Sequence, residues 1–137
     1  MKIGIVGNGF VGSSVAFGFS PQCGCDAVIK IYDKDKTKST HNLREVINTS
    51  DFIFVSVPTP SNKDGSISLD IVNNVFNQMS ELNDRTDNIF LLRSTVTPGT
   101  TRGLKRKFRN LNIVFNPEFL TERSAKFDFI NQSRFIL

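Results

Sequence analysis

A glycine-rich loop at the start of the chain is the first candidate for ligand binding. The stretch GIVGNGFVG (residues 4–12) places glycines at 7, 9 and 12, which is the spacing G-x-G-x-x-G. In this pattern Gly7 allows a tight turn out of a strand, Gly9 lets a pyrophosphate approach the backbone, and Gly12 lets the next helix pack closely. The N–H groups at the start of that helix favour an anion. The loop predicts a dinucleotide site, with a purely structural glycine turn as the alternative.

An acidic residue follows the glycine loop at the distance that a dinucleotide site requires. Asp33 closes an apolar run and lies 33 − 12 = 21 residues after Gly12. A carboxylate there accepts hydrogen bonds from both ribose hydroxyls and repels a 2′-phosphate, so it favours NAD over NADP. Lys34, Lys36 and Lys38 follow directly. These lysines either soften the repulsion or are simply solvated.

Two later loops are rich in hydroxyl groups and proline. They are VPTPSNKDGS (57–66) and RSTVTPGTT (93–101), and each follows an apolar run. Proline stiffens such a loop, and threonines such as Thr59 and Thr95 can both donate and accept hydrogen bonds. The alternative is ordinary turn and cap chemistry, with Thr97 capping a helix.

The segment NPEFLTE (116–122) carries two acidic residues, Glu118 and Glu122, four positions apart. In a helix beginning at Asn116-Pro117 they would share one face. Acidic residues are favoured at a helix start for electrostatic reasons alone. Two on one face raise the prospect of a general base or a polar clamp on a cofactor.

These residues must be positioned by alternating strands and helices. Apolar runs predict six strands, at 2–6, 27–33, 51–57, 88–94, 112–116 and 134–137. Helical patterns cover 10–19, 42–47 (capped by Asn42, with Glu45 three residues later), 69–82, Thr97 to about Asn110, and a segment beginning at Asn116-Pro117. The alternation predicts an α/β fold: a Rossmann-like, doubly wound parallel sheet of about six strands with helices on both faces. Ligands of such sheets bind beyond the carboxyl ends of the strands, where all the loops above would meet.

Five motifs occur in the order typical of one enzyme family: MKIGIVGNGFVG, YDKD, FVSVPTP, RSTVTPGTT and FNPEFLTE. Over nearly all of its 137 residues the chain resembles the N-terminal NAD-binding domain of the UDP-glucose 6-dehydrogenase and GDP-mannose 6-dehydrogenase family. The resemblance implies a single NAD-binding domain over 1–137. It also implies oxidation of a sugar C6 alcohol to a carboxylate in two hydride transfers, through a cysteine-bound thiohemiacetal and thioester.

The resemblance also implies roles for individual residues. Glu118 would be the base for thioester hydrolysis, with Thr95 helping to place the water. The backbone at Phe119 and Leu120 would contact a UDP- or GDP-sugar, and Arg134 matches a family arginine. The NAD site would be lined by Gly7, Gly9, Phe10, Val11, Gly12, Asp33, Lys38, Pro58, Thr59, Thr95 and Glu122.

The chain departs from the family pattern in three ways. The family's nucleophilic cysteine lies in a later domain, which we expect to be absent from this chain, and Cys23 and Cys25 lie in the wrong place for it. The segment between Asp33 and Asp51 is short. Arg123 stands where the family commonly has a small residue, so it would crowd the nicotinamide end or add a cation there. We therefore expect no complete oxidation by this chain alone.

The composition of the chain argues against several other classes of function. The net charge is +4, and no basic stretch is interleaved with aromatic residues, which argues against nucleic-acid binding. No apolar run approaches the roughly 20 residues of a membrane span, and no signal peptide is apparent. Two cysteines and one histidine are too few for a Cys/His metal cage. We expect a cytoplasmic protein with reduced thiols.

Two other functions remain open. One is a standalone or degenerate NAD-binding module, regulatory and without turnover. The other is a dimeric reductase for a small alcohol or acid, against which the lack of a lysine or histidine base other than His41 counts. A homodimer is possible in either case, and an exposed sheet edge near residues 134–137 would favour self-association.

Overall fold

The chain folds around one five-stranded parallel sheet. The structure is a computed structural model and describes residues 1–132 and 136–137. The strand order is β2-β1-β3-β4-β5. The strands are β1 (Lys2–Val6), β2 (Val28–Tyr32), β3 (Phe52–Val55), β4 (Ile89–Leu92) and β5 (Asn112–Phe115). The Rossmann-like α/β prediction is confirmed.

The register brings the carboxyl ends of all five strands to one level. Val6 lies opposite Tyr32 on one side and Val55 on the other, and Leu92 lies opposite both Val55 and Phe115. Because parallel strands share a direction, every loop that follows a strand leaves from this edge of the sheet. We call it the ligand edge.

Helices cover both faces of the sheet. They are α1 (Phe10–Gly18), α2 (Leu43–Thr49), α3 (Asp70–Leu82), α4 (Thr100–Lys107) and α5 (Ala125–Asn131). One core contains buried residues of α2, α3 and α4, and the other contains Val15 of α1 and Phe129 of α5. The predicted cap of α2 is present, since the side chain of Asn42 accepts a hydrogen bond from the Glu45 N–H at 2.9 Å.

The prediction that Thr97 caps a helix is wrong. Helix α4 begins three residues later, at Thr100, and Gly99 is its N-cap in the left-handed conformation with φ 91°. The Thr97 carbonyl instead accepts from both the N–H (3.2 Å) and the hydroxyl (2.7 Å) of Thr100. A turn through Pro98 and Gly99 therefore comes before the helix, which ends at Lys107 rather than near Asn110.

The helix predicted to begin at Asn116-Pro117 is also absent. The chain is irregular up to Thr121, forms a 3-10 turn over Glu122–Ser124, and enters α5 only at Ala125. The reason is that Asn116 is buried and its side chain is used elsewhere. It accepts a hydrogen bond from Arg93 and donates to the carbonyl of Ile136 at 2.7 Å.

The sixth predicted strand, at 134–137, falls partly outside the described residues. Arg134 and residue 135 are among those the structure does not describe, and Ile136 and Leu137 are not in a strand.

Candidate functional site

The glycine loop has the shape that a pyrophosphate needs. Gly7 has a φ of 92°, and a Cβ there would overlap the carbonyl of Ser56. A Cβ at Gly12 would overlap the carbonyl oxygen of Gly7, whereas a Cβ at Gly9 would meet nothing within 4 Å. Helix α1 starts directly after Gly9, and none of the side chains that the structure describes caps it. The N–H groups of its first turn therefore have no side-chain acceptor among the described residues and are available to an anion.

Asp33 is held rigidly beside this loop. Its Oδ2 accepts from the Asn8 N–H at 2.6 Å and its Oδ1 accepts from the Asp35 N–H at 2.8 Å. The Ser39 hydroxyl donates to the Asp33 carbonyl at 2.8 Å. Lys38 contributes its carbonyl, which accepts from the Asn8 side chain at 3.0 Å. Each carboxylate oxygen has more than one lone pair, so Asp33 keeps acceptor capacity for ribose hydroxyls.

A cavity of about 260 Å³ lies at the ligand edge next to the glycine loop. Seven of the predicted site residues line it: Gly9, Phe10, Val11, Pro58, Thr59, Thr95 and Glu118. Four further residues line it that the sequence analysis did not single out, Ser56, Val57, Arg93 and Ser94. The loops after β1, β3, β4 and β5 thus meet around one space.

Glu122 does not share that cavity with Glu118. It lines a neighbouring cavity of about 380 Å³ together with Phe10, Ser13 and Arg123. The two acidic residues were expected on one helix face, but an irregular segment separates them. Phe10 lines both cavities, so the two spaces adjoin at the start of α1.

The two residues predicted to contact substrate differ in their environment. Phe119 is 67% exposed, whereas Leu120 packs against the core of the α1 and α5 face. The Leu120 N–H donates to Oε2 of Glu118 at 2.7 Å, which holds that carboxylate against its own loop.

Ser94 links two of the loops. Its hydroxyl accepts from the Val57 N–H at 3.0 Å and donates to the Val57 carbonyl at 2.7 Å. This pair of bonds joins the start of the loop that carries Thr95 to the loop that carries Pro58 and Thr59. Ser94 therefore supports the cavity wall.

Arg93 is the main site residue that sequence reasoning missed. It is only 2% exposed, and its guanidinium lies 6.0 Å from the ring centroid of Phe54 and 5.6 Å from that of Phe129. One terminal nitrogen donates to Asn116, while Nε and the other terminal nitrogen have no hydrogen-bond partner among the described residues. A signal was available, because a cation inside the apolar run NIFLLRS is costly to bury.

Arg93 remains a cation at neutral pH. Burial lowers the pKa of Arg93 to about 10, and the negative charge of Glu118 opposes that shift. A buried positive charge and a carboxylate therefore line the same cavity.

Most of the motifs described above lie in the part of the chain that a model of a known protein family matches. A family model described as "UDP-glucose/GDP-mannose dehydrogenase family, NAD binding domain" matches residues 24–137. This chain belongs to that family. Its cofactor is NAD, as predicted from the acidic residue at position 33. The glycine loop precedes the matched residues, but it is covered by relatives that align with the whole chain.

Curated relatives align with the whole chain. UDP-glucose 6-dehydrogenase from Campylobacter jejuni is 30% identical over 164 residues, which cover 100% of this chain and 41% of the relative. UDP-glucose 6-dehydrogenase AglM from Haloferax volcanii is 29% identical, with 100% and 40% covered. An uncharacterised protein of Methanocaldococcus jannaschii, MJ1054, is 31% identical, with 100% and 18% covered. The chain thus spans about two fifths or less of the length of these relatives.

Solved structures show the same fold. GDP-mannose dehydrogenase from Pseudomonas aeruginosa superposes with a TM-score of 0.77 at 23% identity, covering 94% of this chain and 38% of that one. UDP-glucose dehydrogenase from Pyrobaculum islandicum gives 0.77 at 24% identity, covering 98% and 39%.

Other site types find no support in the part of the chain that the structure describes. None of its helices combines the length and apolar character needed to cross a bilayer. No cluster of three histidine, cysteine or acidic side chains there could hold a metal ion. Cys23 and Cys25 lie between α1 and β2, at the edge of the sheet opposite the ligand edge.

Proposed function

We propose that this chain is the cofactor-holding part of a dehydrogenase that oxidises the C6 alcohol of a nucleotide sugar to a carboxylate. Bound NAD would supply the hydride acceptor. The observation that carries the proposal is the cavity at which the glycine loop, the threonine-bearing loops and Glu118 meet. The reaction is inferred from membership of the family, and the cavity offers the space in which that reaction would occur.

Sheet order suggests how NAD would lie. The adenosine ribose would bind Asp33 at the end of β2, with the Lys38 turn beside it. The pyrophosphate would lie over Gly9 and the N–H groups of Phe10 and Val11. Because β3 and β4 lie on the other side of β1 from β2, the nicotinamide half would extend into the 260 Å³ cavity.

The remaining predicted residues would shape that path. Gly7 and Gly12 would keep the loop narrow, since a side chain at either would overlap backbone. Pro58 and Thr59 would form one wall of the nicotinamide end. Glu122 would reach the cofactor from the neighbouring cavity, beside Phe10.

Two residues of the cavity would act on water and substrate. Glu118 would accept a proton from the water that hydrolyses the thioester, and the Thr95 hydroxyl would hold that water. Phe119 and Leu120 would contact the nucleotide sugar through their backbone. The cysteine nucleophile would come from outside residues 1–137, so we propose one NAD-binding domain over these residues, which binds NAD without turnover.

Calorimetric titration of the purified chain tests the proposal. We expect NAD to bind in the micromolar range, and we expect no NADH formation when UDP-glucose or GDP-mannose is added. Absence of NAD binding at millimolar cofactor would refute the proposed function. Turnover by the chain alone would refute the proposal that residues 1–137 bind NAD but need a cysteine from outside them. Light scattering on the same sample tests whether the chain forms a homodimer.

A further inference from the structure

The buried charge of Arg93 stands beside the proposed nicotinamide position. Arg93 lines the cavity, is almost wholly inaccessible, and keeps two guanidinium nitrogens without a hydrogen-bond partner among the described residues. The rings of Phe54 and Phe129 flank it, so little water screens its charge. A charge in such a setting acts over a longer distance than one in solvent.

Glu118 is the opposing charge of the same cavity. Its carboxylate lines the space that Arg93 lines and stabilises the Arg93 cation electrostatically. It is held in place by the Leu120 N–H rather than by Arg93. The cavity therefore contains one fixed cation and one fixed anion at different points of its wall.

The two forms of the cofactor differ in the charge that they bring to this cavity. The nicotinamide ring of NAD⁺ is positively charged, whereas that of NADH is neutral, and the rest of the molecule is the same. A buried cation nearby disfavours the oxidised ring, and a carboxylate nearby favours it. For charges roughly 10 Å apart at an effective dielectric constant of about 40, the effect on affinity is about fourfold.

We propose that Arg93 and Glu118 set the relative affinity of this site for oxidised and reduced cofactor, with Arg93 favouring NADH and Glu118 favouring NAD⁺. The proposal rests on the NAD placement given above. Arg93 acts through its charge, so a lysine at this position should serve in its place.

The test compares the dissociation constants of NAD⁺, NADH and ADP-ribose for the parent chain and three variants. In Arg93→Met we expect the ratio Kd(NADH)/Kd(NAD⁺) to rise by about fourfold, and in Glu118→Gln we expect it to fall by about fourfold. Arg93→Lys should keep the parent ratio. ADP-ribose lacks the nicotinamide, so its affinity should not change in any folded variant.

Matched controls remove the same charges away from the cavity. Arg102→Met on α4 and Glu81→Gln on α3 alter exposed residues, and neither should move the ratio. A purely structural role for Arg93 would weaken both cofactor forms equally. That result, or an unchanged ratio in Arg93→Met, overturns the proposal.

If Arg93→Met does not fold, the Glu118→Gln and Arg93→Lys variants test the proposal. An unchanged ratio in Glu118→Gln, or a shifted ratio in Arg93→Lys, overturns the proposal. If the parent chain binds neither NAD⁺ nor ADP-ribose, the proposed function itself fails, which is distinguishable from an unmoved ratio with intact binding.

Discussion

At the scale of single residues, we propose that Asp33 selects NAD over NADP. Its carboxylate is anchored by two backbone N–H groups, from Asn8 and Asp35, at the carboxyl end of β2. Such anchoring holds the negative charge at one place, so a 2′-phosphate there would meet it directly. The nearby lysines do not form ion pairs with Asp33 among the described residues.

Asp33→Ala should weaken NAD binding and reduce the discrimination against NADP. We expect the parent chain to bind NADP at least about tenfold more weakly than NAD, because the carboxylate repels the phosphate. The variant should bind the two cofactors within about threefold of each other. Calorimetry with both cofactors measures this, and equal affinities in the parent chain would contradict the role of Asp33.

The separation of Glu118 and Glu122 leads to a second prediction at this scale. Glu122→Gln should weaken NAD binding by about tenfold, because a charge-assisted hydrogen bond is lost. Glu118→Gln should weaken NAD⁺ binding by only about fourfold, through the loss of a nearby negative charge, since its proposed proton-accepting role belongs to hydrolysis. The opposite ranking in a titration would mean that the two roles are exchanged.

At the scale of elements, the glycine loop and α1 act as one unit. Gly7 and Gly12 are required by packing, because a Cβ at either would overlap backbone, whereas Gly9 faces open space. The three glycines therefore have different roles, and substituting them one at a time would distinguish these roles.

Gly9→Ala should fold normally and lose most NAD affinity, because its methyl group would occupy the space proposed for the pyrophosphate. Gly12→Ala should instead lower the free energy of unfolding, by about 2 kcal/mol, since the methyl group must displace the Gly7 carbonyl. Urea unfolding and NAD titration of both variants check this. Full NAD affinity in folded Gly9→Ala would contradict the loop's proposed role.

At the scale of the whole molecule, several carboxylates favour the folded state when ionised. Hydrogen bonds to the carboxylates lower the pKa of Asp35, Asp64, Asp87, Asp128 and Glu45 below their ordinary values. These bonds come mainly from Thr37, Ser66, Arg85, Thr121 with Ser124, and Lys30, respectively. Asp35, Asp64 and Asp87 are exposed, and Glu45 and Asp128 are only partly buried, so each contribution is small.

The sign of the resulting pH dependence follows from proton binding. The unfolded chain binds these protons at higher pH than the folded chain, so stability is complete above the ordinary values of 3.8 for aspartate and 4.5 for glutamate. Stability should then fall as the pH drops through the lowered pKa values. Urea unfolding at pH 7, 5 and 3 should show a loss only at the lowest pH, and greater stability at pH 3 would contradict the argument.

The sequence by itself determined the order of the strands and helices and the family of the chain. It also determined the position of the glycine loop and that of Asp33 relative to this loop. These features depend on local spacing: apolar runs, a glycine pattern, and an acid at a fixed distance from it. The capping of α2 by Asn42 was predictable for the same reason, because the cap and Glu45 lie in one turn.

Only the tertiary structure decided the rest. Asn116 followed by proline suggested a helix start, but burial beside Arg93 diverts its side chain, so Glu118 and Glu122 are placed around two cavities rather than on one face. Arg93 itself becomes a site residue because β3, β4, α5 and the loop after β5 enclose it. The physical reason is that a residue is buried, or placed near a charge, by segments that are distant in the chain. Such contacts cannot be predicted from the spacing of residues within one segment.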